Sequence, residues 1–379
     1  MLDYNKYMKI SFLRYSAFTL PLLILLSSCF KTSKLVTTSS IDTVKEISDT
    51  KNEDKNTPAE NFKNKDFIPN ELGRVMVLEY HLIGSPEARW RRTPENLKKD
   101  LQLLYDHNYY PVSVHAIASG ELNVPAGKTP FALTFDDSSA GQFRYLEMNG
   151  KLVIDPECAV GIVENFKKAH PDFPLTATFY VLPAVKPTLR LFAQPEYKKQ
   201  KLEWLQKNGY EIGNHTWFHA QLSKLSDEEA QKHLGMFVKE MRTYLPDYEP
   251  KSLALPLGMH AKNRALEVSG EFEGTHYKHE SVMLVGSATS VSPYSKRFDA
   301  LAIQRVQGGE HQENPENFMN SQIKHQTRFV SDGNPETITA PEALKEELNV
   351  QLIKKYKINW IKTLPERHEK DSTSIIAKH

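Results

Sequence analysis

Cysteine is almost missing from this sequence: only Cys29 and Cys158 occur in 379 residues. That count excludes a disulfide framework and a cysteine-based zinc site. A charge of one sign is also lacking. The 48 basic and 47 acidic residues give a formal net charge of +1, so nothing points to nucleic acid or another polyanion as partner. The most apolar stretch, Ala17 to Leu26, is too short for a comfortable membrane span. There is no internal repeat, and outside a polar stretch near the start no low-complexity segment. What is present is ordinary globular composition, 40% hydrophobic and 25% charged. It suits one large domain or two ordinary ones with a buried core.

The first residues read as a targeting segment. Lys6, Lys9 and Arg14 precede the apolar Ala17–Leu26, and Leu26-Ser27-Ser28-Cys29 follows. Small residues before a cysteine resemble the bacterial lipobox, which implies cleavage before Cys29 and lipid on its sulfur. A plain amino-terminal membrane anchor is the alternative. Both readings place the rest of the chain outside the cytoplasm, and lipidation leaves it soluble but tethered. Cys158 then has no partner and reads as a small buried apolar residue. Residues 30–70 are rich in Lys, Thr, Ser, Asn, Asp and Glu and nearly free of aromatics. Such a stretch buries too little apolar surface to offset its ordering entropy, and reads as a flexible tether.

From Leu72 onward, strand and helix signals alternate. Strands are expected at Arg74–Tyr80, Tyr110–Val114, Phe131–Phe135, Thr176–Leu182, Tyr210–Gly213, Ser252–Leu255, Val282–Val285 and Leu301–Val306. A helix opens at Thr93-Pro94, a cap followed by a first-turn proline, with Leu97, Leu101 and Leu104 on one face. Others span Pro156–Ala169, Pro195–Asn208 and the segment after Ser226-Asp227-Glu228-Glu229, a capping box. A further helix is expected over Pro341–Tyr356, then a short strand over Ile358–Ile361. This alternation implies a parallel sheet, open or closed into a barrel, with chemistry at the carboxyl ends of its strands. Asp136, Asp137, His215, His219 and the Pro256-Leu257-Gly258 turn all follow expected strands.

Thr134-Phe135-Asp136-Asp137 ends a strand in two carboxylates that cannot both point the same way if the strand continues. One can ligate a metal while the other faces a substrate; a solvated turn is the plainer alternative. In His215-Thr216-Trp217-Phe218-His219 the histidines are four apart and share a face if the segment is a helical turn. Two unrelated surface histidines remain an alternative. Trp217 and Phe218 suit either core packing or, for Trp217, stacking on a sugar ring. One carboxylate with two imidazoles leaves open coordination positions, as in catalytic zinc sites. The second carboxylate then supplies a base, and amide hydrolysis needs both an activated water and a polarised carbonyl.

These two motifs resemble the first two motifs of the polysaccharide deacetylase (NodB-homology) family, in carbohydrate esterase family 4. The resemblance covers roughly residues 74 to 310. It implies a distorted (β/α) barrel and removal of acetyl groups from N-acetylglucosamine polymers, peptidoglycan or xylan. It implies a divalent metal, zinc first, with cobalt, nickel or manganese as alternatives. Carried over by position, Asp136 is the general base, and Asp137, His215 and His219 hold the metal. Val77-Leu78-Glu79-Tyr80-His81 is similar to the opening strand of the extracellular poly-N-acetylglucosamine deacetylases. His81 at that strand end is either near the site or simply packed.

The sequence also departs from the family. Its third motif usually reads Arg-x-Pro-Tyr-Gly, whereas here Ala254-Leu255-Pro256-Leu257-Gly258 stands there. The arginine is replaced by Ala254, and Leu257 still offers a backbone N–H for an oxyanion. Arg305 resembles the late-strand arginine that contacts the base in some members; a surface arginine is the alternative. The histidine acid of the last motif has only His325 and His311 as candidates, neither in an apolar strand. The segment from Asp137 to Thr176 is longer than in the shortest members.

Three functions compete. A deacetylase of an extracellular glycan uses every feature above. A catalytically silent carbohydrate-binding lipoprotein accounts for the weakened third motif but not for a base beside a full ligand set. A two-carboxylate glycosidase needs carboxylates flanking a glycosidic bond, and adjacent residues fit that poorly. The expected layout is a lipoprotein signal at 1–28, lipidated Cys29 and tether to 70, a catalytic domain at 71–345 and an extension at 346–379.

Overall fold

The computed structural model describes residues 67–186, 189–286, 288–309 and 314–362. The signal-like segment, Cys29, most of the expected tether and His311 lie outside the described residues. Among the described residues no helix is long and apolar enough to cross a membrane.

Eight strands make the main sheet: β1 (Met76–Tyr80), β2 (Tyr109–Pro111), β3 (Thr129–Asp136), β4 (Thr178–Val181), β5 (Glu211–Asn214), β6 (Ser252–Ala254), β7 (Ser281–Met283) and β8 (Val306–Gln307). Their order is β7-β6-β5-β4-β3-β1-β8, and every pairing is parallel. β3 is the longest and central. Its start pairs with β2 (Tyr109 opposite Thr129) and its end with β4 (Thr134 opposite Thr178). The sheet curls until its edges meet one stretch of chain: Ile303 bridges Met283 of β7, and Val306 pairs with Leu78 of β1. This is a distorted (β/α) barrel with helices around it.

The helices start where side chains can cap them. α1 (Pro94–Asp106) has Thr93 accepting from the Asn96 N–H and proline at its first turn. α3 (Ala159–Ala169) begins at Cys158, whose Sγ accepts from the Gly161 N–H. α5 (Asp227–Tyr244) carries the complete Ser226–Glu229 capping box. α4 (Lys198–Lys207) is followed by Gly209, whose φ of 78° lets the chain turn into β5. α2 (Val114–Ser119), α6 (Ala265–Val268) and α7 (Pro315–Lys324) complete the set.

Alternation along the strands separates two cores. Met76, Leu78 and Tyr80, Phe131, Leu133 and Phe135, and Phe179 and Val181 face outward. They bury against α1, α4 and α5 through Leu97, Leu101, Leu202, Leu234 and Phe237. Each such side chain contributes about 1.5–3 kcal/mol on leaving water. Val77, Ala132, Tyr180, Ala254 and Met283 face inward and join Phe329, Ile338, Leu348 and Tyr356 from the carboxyl-terminal part. The inward set turns polar at Glu79, Thr134, Asp136 and Arg305, all buried.

Some elements differ from expectation. The Tyr110–Val114 strand stops at Pro111, because Ser113 caps α2 by accepting from the Ala116 N–H. Pro341–Tyr356 is not an α-helix but two 3-10 turns, Glu342–Glu347 and Val350–Lys354. Leu348 between them is buried and bridges Ser295, and the Asn349 side chain accepts from the Gln351 N–H to start the second turn. Lys357–Ile361 pairs in parallel with Thr337–Pro341, away from the main sheet. The Leu301–Val306 strand narrows to one bridge at Ile303 and to Val306–Gln307.

Candidate metal centre and active site

The carboxyl ends of β1, β3, β5 and β6 bring the chemistry together. Asp136 is the last residue of β3 and Asp137 follows it. His215 follows β5, the Pro256–Gly258 turn lies just beyond β6, and Arg305 precedes β8.

Asp137, His215 and His219 form one cluster. Asp137 Oδ1 lies 3.4 Å from His215 Nε2 and 3.5 Å from His219 Nε2. One ligand atom from each lies within 4.8 Å of the others, a possible His/Asp metal site. His215 Nδ1 is 2.8 Å from the Ala254 carbonyl oxygen, which only accepts, so Nδ1 carries the proton and Nε2 presents its lone pair to the cluster. Both His215 Nε2 and Asp137 Oδ1 are buried without a hydrogen-bond partner. Buried polar atoms are rarely left so. Two converging orphan atoms of ligand type are what a divalent cation would satisfy, so the residues fit a metal.

The histidines do not converge through a helix. Residues 215–219 form a turn in which Thr216 (φ 64°) and His219 (φ 55°) are left-handed, and Asp137 (φ 75°) and Ser138 (φ 47°) are left-handed opposite them. The Asn214 side chain holds the Thr216 N–H at 2.8 Å, and Thr216 Oγ1 accepts from the Ala220 N–H at 2.9 Å. Local strain clustered around reacting groups is a mark of functional sites.

Asp136 borders this cluster, its Oδ2 3.9 Å from His215 Nε2, but is held by a different partner. Arg305, fully buried, donates to both its oxygens at 2.8 and 2.7 Å, and also to Thr134 Oγ1 (3.1 Å) and the Leu284 carbonyl (2.6 Å). Glu79 Oε1 stands 3.3 Å from the same guanidinium, and Glu79 Oε2 accepts from the Gly286 N–H. Burial opposes ionisation of Asp136 most strongly, yet Arg305 and His215 outweigh it and hold the carboxyl below its usual range. Burial dominates at Glu79 and raises it despite Arg305. At Asp137 burial is overcome by His215, and the carboxyl is held well below the usual range. Burial works against a charged His215, but Asp136 and Asp137 raise it; burial and the neighbouring His215 push His219 down to about 4.

His81 lies beside Asp136. Ligand-type atoms of Glu79, His81 and Asp136 all lie within 4.8 Å of one another, and His81 Nε2 is 3.7 Å from Glu79 Oε1. Its Nδ1 has no hydrogen-bond partner, and its ring packs edge-on against Trp90 at 4.7 Å. His81 is thus both packed against Trp90 and grouped with Glu79 and Asp136. Glu79, a lone acid in an apolar strand, was the overlooked signal. His325 caps the carboxyl end of α7, where Gln322 bonds the backbone of Arg74 and the side chain of Tyr109. That is the amino-terminal end of β1, opposite the site, so His325 is excluded from it. Trp217 turns toward α5 and donates to Glu240, while Phe218 is 56% exposed. Leu257 is left-handed (φ 60°) and 61% exposed, and Ala254 packs inside the barrel with Tyr180 and Met283.

Residues 123–272 match the family model described as polysaccharide deacetylase. No curated protein matches the chain. Among solved structures, it is similar to a polysaccharide deacetylase from Bacillus cereus (19% identity, 65% of this chain and 68% of that one, TM-score 0.47). It is also similar to the deacetylase PplD of Streptococcus pyogenes in complex with acetate (16%, 67% and 98%, TM-score 0.46). IcaB from Ammonifex degensii is a third (14%, 65% and 96%, TM-score 0.43). Residues 123–272 are thus the segment of this chain that is similar to the polysaccharide deacetylase family.

Proposed function

We propose that this chain is a metal-dependent hydrolase that removes acetyl groups from an extracellular or cell-wall polysaccharide: an N-acetylglucosamine polymer, peptidoglycan or xylan. The observation that carries the reading is the pair of buried, unpartnered ligand atoms, His215 Nε2 and Asp137 Oδ1, 3.4 Å apart beside a carboxylate that is not among them. Asp137, His215 and His219 hold the cation, and zinc suits two imidazoles and one carboxylate, with cobalt, nickel or manganese as alternatives. A divalent metal held there would lower the pKa of water to roughly 7 and polarise the acetyl carbonyl.

The chain's own residues do the rest. Asp136, kept ionised and oriented by Arg305, takes the proton of the attacking water. The Leu257 N–H is the donor proposed for the developing oxyanion. His81, with one ring nitrogen unpartnered and Glu79 beside the other, is the proposed donor to the departing amine. We further propose that the domain works outside the cytoplasm, anchored by lipid on Cys29.

Metal analysis followed by acetate release from N-acetylglucosamine oligomers tests the reading. Asp136→Asn is expected to keep its metal and lose turnover. Retained release sinks the base assignment, and loss of metal means the two aspartates have exchanged roles. Glycan binding without any acetate release would identify a silent binding protein.

A further inference from the structure

The turn that presents the two histidines is held from behind. Asn214, fully buried, ends β5 directly before His215. Its Oδ1 accepts from the Thr216 N–H, while its Nδ2 lies 3.1 Å from His279 Nε2 and 3.4 Å from the Leu234 carbonyl. Thr216 is β-branched and left-handed, a conformation such residues adopt only when their surroundings impose it. Thr216 also ties the far end of the turn through the Ala220 N–H, next to His219.

An asparagine amide can face either way. Reversed, it would set its NH2 against the Thr216 N–H, donor against donor. His279 decides which way it faces. This residue is buried between the Thr275–Lys278 strand and β7, and its Nδ1 is 2.7 Å from the Glu267 carbonyl oxygen. A carbonyl only accepts, so Nδ1 carries the ring proton. Burial keeps the ring neutral, holding its pKa down to about 4. Its Nε2 therefore has a lone pair and accepts from Asn214 Nδ2–H.

We propose that His279 is a positioning residue for the metal centre. By fixing the Asn214 amide it holds the left-handed turn at Thr216, and so sets the spacing of His215 and His219. This rests on the reading that those two histidines bind a divalent cation. The relay runs from the Glu267 carbonyl through His279 and Asn214 to Thr216, and none of its members is a ligand.

Two substitutions in the full-length chain separate positioning from packing. His279→Asn keeps a donor for the Glu267 carbonyl but has nothing where Nε2 accepted. His279→Gln places an amide oxygen where Nε2 accepted but lacks the inner donor. Each removes one buried hydrogen bond, so a purely structural role predicts similar effects. Zinc titrations are expected to show at least a tenfold weaker dissociation constant for His279→Asn, the size typical of lost outer-shell support, and less than threefold for His279→Gln. Equal affinities, or the reverse order, overturn the proposal. A second measurement needs no variant: nitrogen-15 spectra of histidine-labelled wild type should show His279 as the Nδ1–H tautomer. The Nε2–H tautomer overturns the relay. A wild-type chain that takes up no zinc removes the metal reading itself, and the proposal with it, whereas the tautomer is read with or without metal.

Discussion

Replacing Arg305 by methionine should damage both stability and its pH dependence. The guanidinium is fully buried, makes two bonds to Asp136 at 2.7–2.8 Å and stands 3.3 Å from Glu79. Methionine fills much of the space but leaves two buried carboxylates without a cation. Breaking a buried pair this way costs about 3–5 kcal/mol, a large part of the roughly 5–15 kcal/mol that holds a domain folded. The sign with pH follows from burial. Without Arg305, burial acts on Asp136 and Glu79 with less opposition, and their folded pKa values lie above the unfolded ones. Such groups contribute stability below the unfolded pKa and lose it as pH rises through the folded value. The deficit should therefore be small near pH 4 and full above neutrality. Urea unfolding of the metal-free protein at acidic and neutral pH measures it. Adding Glu79→Gln to Arg305→Met removes one uncompensated charge and should recover about half of the loss. An Arg305→Met protein within about 1 kcal/mol of wild type at pH 7.5, or a deficit independent of pH, would refute the reasoning.

Further outcomes follow from the same physics. Glu71 is raised to about 8, chiefly by burial and then by Asp332. Its contribution is present below about 4.5 and lost as pH rises through about 8. Glu71→Gln should therefore gain on wild type between pH 5 and 9 in thermal unfolding, and parallel curves would contradict this. Gly213→Ala places a Cβ 2.3 Å from the Tyr180 ring, which cannot yield without disturbing Arg305 stacked at 5.6 Å. A loss of about 1–3 kcal/mol is expected, and an unchanged melting curve would count against the packing. Zinc uptake near pH 6 should displace about one proton, from His215 and not from His219. Calorimetry in two buffers of different ionisation enthalpy reads that number, and no release at pH 6 contradicts it. Labelled fatty acid should be incorporated into the wild type in cells and not into Cys29→Ser; equal labelling rejects the anchor.

Much of the barrel is written locally. Caps at Thr93 and Ser226, and the apolar runs of β1 and β3, mark their elements without tertiary help. The site was legible where strand ends meet titratable residues, at Asp136-Asp137 and His215. It was not legible where long-range pairing decides. His81 becomes a neighbour of Asp136 only because Tyr80 pairs with Phe135 across β1 and β3. Arg305 reaches Asp136 across 169 residues of chain. The His215–His219 spacing suggested a helix, but a left-handed threonine shapes the turn, and no propensity foretells it. The carboxyl-terminal segment misled because its apolar spacing is helical while Leu348 is pulled into the core at Ser295.

A crystal structure of the zinc-loaded chain, with anomalous data at the zinc edge, tests the central claim most directly. One zinc per chain is predicted, with His215 Nε2, His219 Nε2 and an Asp137 oxygen at about 2.0–2.2 Å and Asp136 still held by Arg305. Zinc seated instead among Glu79, His81 and Asp136, or no zinc at either cluster, would contradict it.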